Sequence, residues 1–233
     1  MTNTYIELII TIQPISNIAV RNIQESLTTY FNSAMLADPN LKELHHQNKY
    51  KSYVFSSPHP LEKDKVYHSG RLYVVNFRTP DPLFAAAIRA VLPYAQGNFK
   101  LISSEIRNYE NRPVEKIINL NPAICTVSQN HCWLSEDGIS LLSDRIHSNA
   151  VKKAKSLDTT FAEPPEYFFE RVELLNDKAI AIAYKGTVLL GHKLRLHILP
   201  DCWAQQLAFV ALSCGILEKN SLGCGYCIID KKR

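Results

Sequence analysis

Twice along this chain an alternating apolar segment is followed by an apolar-striped helix pattern, two further strand-like runs, a second helix and a closing strand. Few folds accept that order. In Tyr5 to Ile12, Ile6, Leu8, Ile10 and Ile12 share one face while Glu7 and Thr11 take the other, which is the pattern of a half-buried strand. Beyond Pro14, Ser16 or Asn17 is placed to cap a helix reaching about Leu36, with Ala19, Ile23, Leu27, Tyr30, Phe31 and Ala34 in one stripe. Asp38-Pro39 ends this helix, and a polar connection leads to strands at Tyr50 to Ser56 and Arg71 to Arg78. Asp81-Pro82 supplies a cap and a first-turn proline for a second helix, with Leu83, Ala87 and Val91 on one face. Gly97 breaks it before a last strand, Phe99 to Tyr109.

That β-α-β-β-α-β order is ferredoxin-like, and it recurs after Asn111-Arg112-Pro113 with one extra hairpin. The second pass predicts a strand at Lys116 to Val127 and a helix at Asp137 to Leu157, with Leu142, Ile146, Ala150 and Ala154 in register. Strands follow at Phe168 to Leu174, Ala179 to Tyr184 and Thr187 to Leu199. A helix opening at Asp201 buries Trp203, Leu207, Ala211 and Cys214, and a short strand runs from Cys224 to Asp230. The expected architecture is α+β, two tandem ferredoxin-like domains over residues 1–113 and 114–233.

Composition narrows the class. At 233 residues, 46% hydrophobic and 21% charged, the chain is neither disordered nor a disulfide-stapled scaffold. The net charge of +4 is spread over both halves, so charge alone does not demand a nucleic-acid partner. The apolar start is short and broken by Glu7, Cys202 to Leu217 is too short to span a bilayer, and the six cysteines read as reduced thiols. The expectation is a cytoplasmic protein with no membrane partner.

The richest segment for chemistry is Gly215-Ile-Leu-Glu-Lys-Asn-Ser-Leu-Gly-Cys-Gly225. Glycines at positive φ let backbone N–H groups converge on an anion, and Lys219 adds a charge; a helix end turning into a strand explains the same spacing. The segment lacks the lysine-plus-hydroxyl ending of a nucleotide-binding P-loop and the dinucleotide glycine spacing, so no nucleotide cofactor is expected. Cys224 and Cys227 have no following helix to activate a redox pair and no second Cys-x-x-Cys to complete a zinc site, so they read as strand packing, with no metal. The strand from Gly70 to Phe77 matches the aromatic-rich strand of RNA-recognition sheets only in part. Lys49, Arg71, Lys152, Lys153, Lys155, Lys193, Arg195, Lys231, Lys232 and Arg233 are candidate phosphate contacts, or solvated face residues.

The stretch of Gly215, Glu218, Lys219, Asn220, Ser221, Leu222, Gly223 and Gly225 resembles the C-terminal signature of the CRISPR repeat-processing endoribonucleases of the RAMP superfamily. Cys224 stands where that family usually has phenylalanine. Leu44-His45 followed by Tyr50-Lys51-Ser-Tyr-Val-Phe55-Ser56 is similar to the family's Leu-His … Tyr-Lys-Pro-Phe-Thr-Phe-Ser block, with Ser52 for proline and His46-Gln47 for Glu-Gly. The two blocks lie at opposite ends of the chain, and residues 115–200 match in outline only.

The resemblance implies a cofactor-free, metal-independent endoribonuclease that cuts CRISPR precursor RNA once per repeat. It implies Tyr30, His45 and Lys51 as catalytic residues and Gly215, Lys219, Asn220, Ser221, Gly223 and Gly225 as RNA contacts, with Lys193 and Arg195 added to these RNA contacts as basic residues that would hold the RNA backbone. Attack of a ribose 2′-OH on its own 3′ phosphate needs a proton acceptor, which an imidazole supplies near neutrality, and positive charge at the phosphate, which Lys51 supplies. Tyr30 would position or donate. The products would carry 2′,3′-cyclic phosphate and 5′-hydroxyl ends. Read without the resemblance, Tyr30 is a core residue on its stripe, and His45, His46 and Lys51 are solvated; His46 competes with His45, and acid and base roles stay open. The alternative is a non-cleaving RNA-binding RAMP subunit of a CRISPR effector complex; a third reading is a ferredoxin-like pair with an unrelated ligand. Other effector subunits and a second copy of this chain are further candidate partners.

Overall fold

The computed structural model describes residues 4–47, 50–110, 112–129 and 131–231. Strand β1 (Thr4–Pro14) keeps the predicted alternation, burying Ile6, Leu8, Ile10 and Ile12. The helix expected from Ser16 or Asn17 starts later. The Asn17 carboxamide accepts from Ser69 N–H (2.9 Å) instead of capping, and Ile18–Ala19 form a short strand, β2. A 3-10 turn (Val20–Asn22) then leads into α1 (Ile23–Met35).

Asp38-Pro39 ends that helix and also opens another. Asp38 accepts from the N–H groups of Asn40 (2.9 Å) and Leu41 (3.0 Å), capping α2 (Pro39–His46) where a polar connection was expected. The strand predicted at Tyr50 to Ser56 is paired only at β3 (Val54–Phe55). The next elements are β4 (Val66–Tyr67), which pairs with β2, β5 (Tyr73–Thr79), α3 (Pro82–Val91), capped by Asp81 as expected, and β6 (Phe99–Glu110). The sheet order β3-β5-β1-β6 is antiparallel throughout, with Ile6 opposite Thr79 on one side of β1 and Asn108 on the other.

The predicted strand from Lys116 to Val127 breaks after β7 (Lys116–Asn119). Asn119 turns its amide onto the carbonyls of Asn121 (2.6 Å) and His192 (2.9 Å), and Pro122 has no N–H to continue a ladder. A small hairpin follows, β8 (Thr126–Ser128) with β9 (His131–Cys132), then α4 (Ile139–Leu157) and β10 (Phe169–Leu174). The extra hairpin is β11 (Ile180–Tyr184) with β12 (Thr187–Gly191), turned at Lys185-Gly186 with both φ angles positive, 47° and 74°. The long strand expected from Thr187 divides at His192-Lys193, giving β13 (Leu194–Ile198); α5 (Cys202–Cys214) and β14 (Cys227–Ile229) complete the chain. The order β10-β13-β7-β14 repeats that of the first sheet, so the fold is a tandem pair of ferredoxin-like units. No helix among the described residues is long and apolar enough to cross a membrane.

Helices α1 and α3 cover one face of the first sheet, and α4 and α5 cover the second. The two units meet over a buried ionic cluster. Arg78 of β5 donates to Glu7 of β1 (2.6 Å) and to the carbonyls of Leu212 (3.2 Å) and Cys227 (2.6 Å) in the other unit. Tyr226 donates to the same Glu7 carboxylate (3.1 Å), and its ring lies 4.4 Å from the guanidinium. Nearby, Asn121 donates to the carbonyls of Phe55 (3.2 Å) and Gly223 (2.6 Å) and accepts from Ser57. Removing one partner of such a pair strands the other charge in a dry interface. Arg78→Ala should therefore lower unfolding free energy by about 3–5 kcal/mol in urea titrations, with Glu7→Gln/Arg78→Leu recovering part of the loss. A loss within about 0.5 kcal/mol, the range of ordinary surface changes, would show that the pair does not hold the units together.

Candidate active site between the two units

A cavity of about 510 Å³ opens where the end of α2 and the segment before β3 face the loop after α5. From the first unit it is lined by His45, Tyr50 and Lys51, and from the second by Glu218, Lys219 and Ser221. The two sequence blocks, some 170 positions apart, thus become opposite walls of one space. The volume is within the range of small-ligand sites.

His45 reaches the cavity because Asp38 starts α2 early enough to carry it into the last turn of that helix. Lys51 folds back on the same turn: its Nζ donates to the His45 carbonyl (2.9 Å) and lies 3.5 Å from His45 Nδ1. Carbonyls in a last helical turn lack intrahelical donors, and a cation is favourable there. Partial burial lowers the Lys51 pKa from the ordinary lysine value. The pair sets an imidazole beside a fixed ammonium at the cavity wall. The side chain of His46 and the residue Lys49 lie outside the described residues, as do Lys232 and Arg233.

The glycine-rich loop is built differently from an open anion nest. Ile216, Glu218, Gly223, Cys224 and Gly225 spend their N–H groups on protein carbonyls. The buried Asn220 donates to the carbonyls of Ile216 (3.0 Å) and Cys224 (2.9 Å). Gly223 presses against the first unit, where an added Cβ would sit 2.5 Å from Phe55 and Gln24; at Gly225 it would sit 2.2 Å from the Ile216 carbonyl oxygen. These glycines permit close packing. Only the stretch from Leu217 to Ser221 lines the cavity, with Lys219 in the left-handed region (φ 58°) and exposed.

Lys153, one of the candidate phosphate contacts, has another role. It is 3% exposed, and its three N–H bonds go to the carbonyls of Gly215 (2.7 Å) and Leu217 (2.7 Å) and to Asn220 Oδ1 (2.6 Å). Burial lowers its pKa to about 8, which leaves it mainly charged at neutral pH. Its place was visible in the sequence: Ile146, Ala150 and Lys153 are spaced by four and three along the buried stripe of α4.

Other predicted site residues lie elsewhere. Tyr30 is 1% exposed, edge-on to Phe31 and Phe99, with its hydroxyl buried and without a hydrogen-bond partner, and it does not line the cavity. Burial raises its pKa to about 12. Arg195 is on the outer face of the second sheet, paired with Glu173 (2.8 Å) and Asp230 (2.7 Å), and Lys193 immediately precedes the same inner strand; neither lines the cavity. Arg71 is paired with Glu62 and Lys155 with Glu163, while Lys152 and Lys231 are exposed. The thiols of Cys224 and Cys227 are buried, each pushed up to about 12, which disfavours the thiolate needed for redox or metal chemistry. Tyr50 and Glu218 stand inside the two resembling blocks, where sequence reasoning assigned them no role, and Asn149 lines the cavity only through its long-range placement.

No family model matches the chain, and no curated protein sequence matches it. Solved structures share its fold. A structure described as CRISPR-associated protein Cas6 superimposes with a TM-score of 0.73 at 16% identity, over 97% of this chain and all (100%) of that one. A RAMP protein described as binding different RNA substrates gives 0.73 at 14% identity over 97% and 100% of the two chains. A Cas6-related protein from Pyrococcus furiosus gives 0.70 at 15% identity over 98% and 100%. At these identities the likeness is one of fold.

Lys153→Met keeps an unbranched side chain, one atom shorter, and removes all its donors, orphaning three acceptors at about 1–3 kcal/mol each before relaxation. A clear fall in melting temperature and faster proteolytic nicking between residues 215 and 221 are expected. A melting temperature unchanged within a degree or so would contradict the bracing role.

Proposed function

We propose that the chain is a metal-independent endoribonuclease that cuts CRISPR precursor RNA within each repeat. The observation carrying this reading is the cavity in which His45 and Lys51 face Lys219 and Ser221. The Cas6 and RNA-binding RAMP structures that share the fold support it. The scissile phosphate would lie between these walls. His45 takes the 2′-OH proton, the oxygen attacks the adjacent phosphorus, and Lys51 and Lys219 stabilise the charge on the pentavalent phosphate. The 5′ oxygen leaves with the proton that His45 took from the 2′-OH, returned by the imidazolium, giving a 2′,3′-cyclic phosphate and a 5′-hydroxyl and leaving His45 neutral again. The imidazole and ammonium groups suffice for this transfer, and no role is given to Tyr30, whose hydroxyl is shut in the core.

The seclusion of Tyr30 favours a second reading, a RAMP subunit that binds repeat RNA without cutting it. The two separate in an incubation of labelled repeat RNA with excess EDTA. The nuclease yields one cut with a cyclic phosphate end, slowed at least about 100-fold in His45→Ala, the scale of a general acid–base group. Binding without a cut supports the subunit.

A pH profile tests Lys51. Its ammonium form is the stabilising one and its pKa is lowered by burial, so the cleavage rate should fall as pH rises through a value below the ordinary lysine pKa of about 10.4. Lys51→Arg, which stays charged, should move that fall upward. An alkaline limb identical in both enzymes would remove Lys51 from the chemistry.

A further inference from the structure

Tyrosine ordinarily buries its ring and keeps its hydroxyl wet or hydrogen-bonded at an edge. Tyr50 does the reverse. Its hydroxyl end is buried beside Cys214 at the end of α5, while the residue as a whole remains 40% exposed. The Lys153 ammonium, itself immobilised by three hydrogen bonds, lies 5.7 Å from the ring centroid. The ring is thus held at its tip and under a fixed cation, and Tyr50 lines the same cavity as His45 and Lys51.

A side chain kept only for packing would be covered as a whole; this residue lines the cavity and stays 40% exposed while its polar atom is hidden. A group suited to this wall would be flat, apolar on its faces and placed next to a phosphate held by Lys51 and Lys219. A nucleobase has those properties, and stacking on an aromatic ring is worth about 1–3 kcal/mol per base while tolerating any base identity. We infer that Tyr50 is a stacking platform for the base of a nucleotide flanking the scissile phosphate, a positioning contact that holds the attacking ribose in line. This rests on the nuclease reading, and stacking would serve it by fixing the sugar of one nucleotide while His45 and Lys51 act on the phosphate.

The test is a double-mutant cycle read in both binding and single-turnover cleavage. Wild type, Tyr50→Trp and Tyr50→Leu are each given repeat RNA that is intact or abasic at either nucleotide beside the cut. The expected result is that Tyr50→Leu weakens the binding of intact RNA by about 5- to 150-fold, the span of one stacked base, and that Tyr50→Trp restores it. One abasic position should weaken wild type by a similar factor and Tyr50→Leu hardly at all. Factors that simply multiply at both positions, or a leucine variant that binds and cuts as wild type does, would overturn the stacking role. If Tyr50→Leu is poorly folded, the abasic series on wild type against Tyr50→Trp decides: no abasic effect at either position refutes the platform. Wild type that neither binds nor cuts intact repeat RNA would instead refute the nuclease reading, and the platform with it.

Discussion

A guanidinium without water around it has few places to rest, and Arg78 has been given one by both units at once. Its fork is shared between a carboxylate of the first sheet and two carbonyls of the second unit, with aromatic rings of Tyr5 and Tyr226 near its planar faces. Each of these contacts is directional, so together they restrict sliding and rotation of one unit over the other. In this way they set the register between the units. The cavity depends on that register, because its two walls come from different units and the groups that matter are carried on short, otherwise weakly anchored segments.

Those segments are in turn fixed by local polar bracing. Lys51 ties the residues before β3 to the last turn of α2. Lys153 and Asn220 occupy the inside of the glycine-rich loop and bind its carbonyls, while the glycines let the chain pass where no Cβ would fit. The loop therefore acts less as a set of backbone anion donors than as a stiff support presenting Lys219 and Ser221. The ammonium groups of Lys51 and Lys153 are held in fixed places at the cavity, a condition under which electrostatic stabilisation needs little reorganisation.

Local signals in the sequence were read well where a single element carried them. The alternation of Ile6, Leu8, Ile10 and Ile12 and the Asp81-Pro82 cap appear in the structure as expected. The same cap signal at Asp38-Pro39 both ends one helix and starts the next, which carries His45. The stripe on α1 already marked Tyr30 as core, and the structure keeps it there. What could not be read was long-range: β3 is short because its regular ladder with β5 spans only Val54 with Arg78 and Phe55 with Phe77 before isolated bonds from Ser56 to Asn76 and between His59 and Val74, and Asn119 breaks its own strand by bonding across the fold. Glu7 and Arg78 are 71 positions apart, and Arg78 and Cys227 are 149 apart, so nothing in either neighbourhood announces the cluster. Lys153 is the instructive middle case, legible by its spacing and misleading by its charge.

The central claim is that one RNA phosphate is held between the His45–Lys51 wall and the Lys219–Ser221 wall. A structure of the protein with repeat RNA carrying a 2′-deoxy nucleotide immediately 5′ to the cut, which binds but lacks the nucleophile, tests this most directly. The expected result places the phosphate at the cleavage position in the cavity, within about 3.2 Å of Lys51 Nζ and with the sugar C2′ facing the His45 ring. A phosphate bound instead on the outer face of the second sheet, beside Arg195, with the cavity filled by solvent, would contradict it.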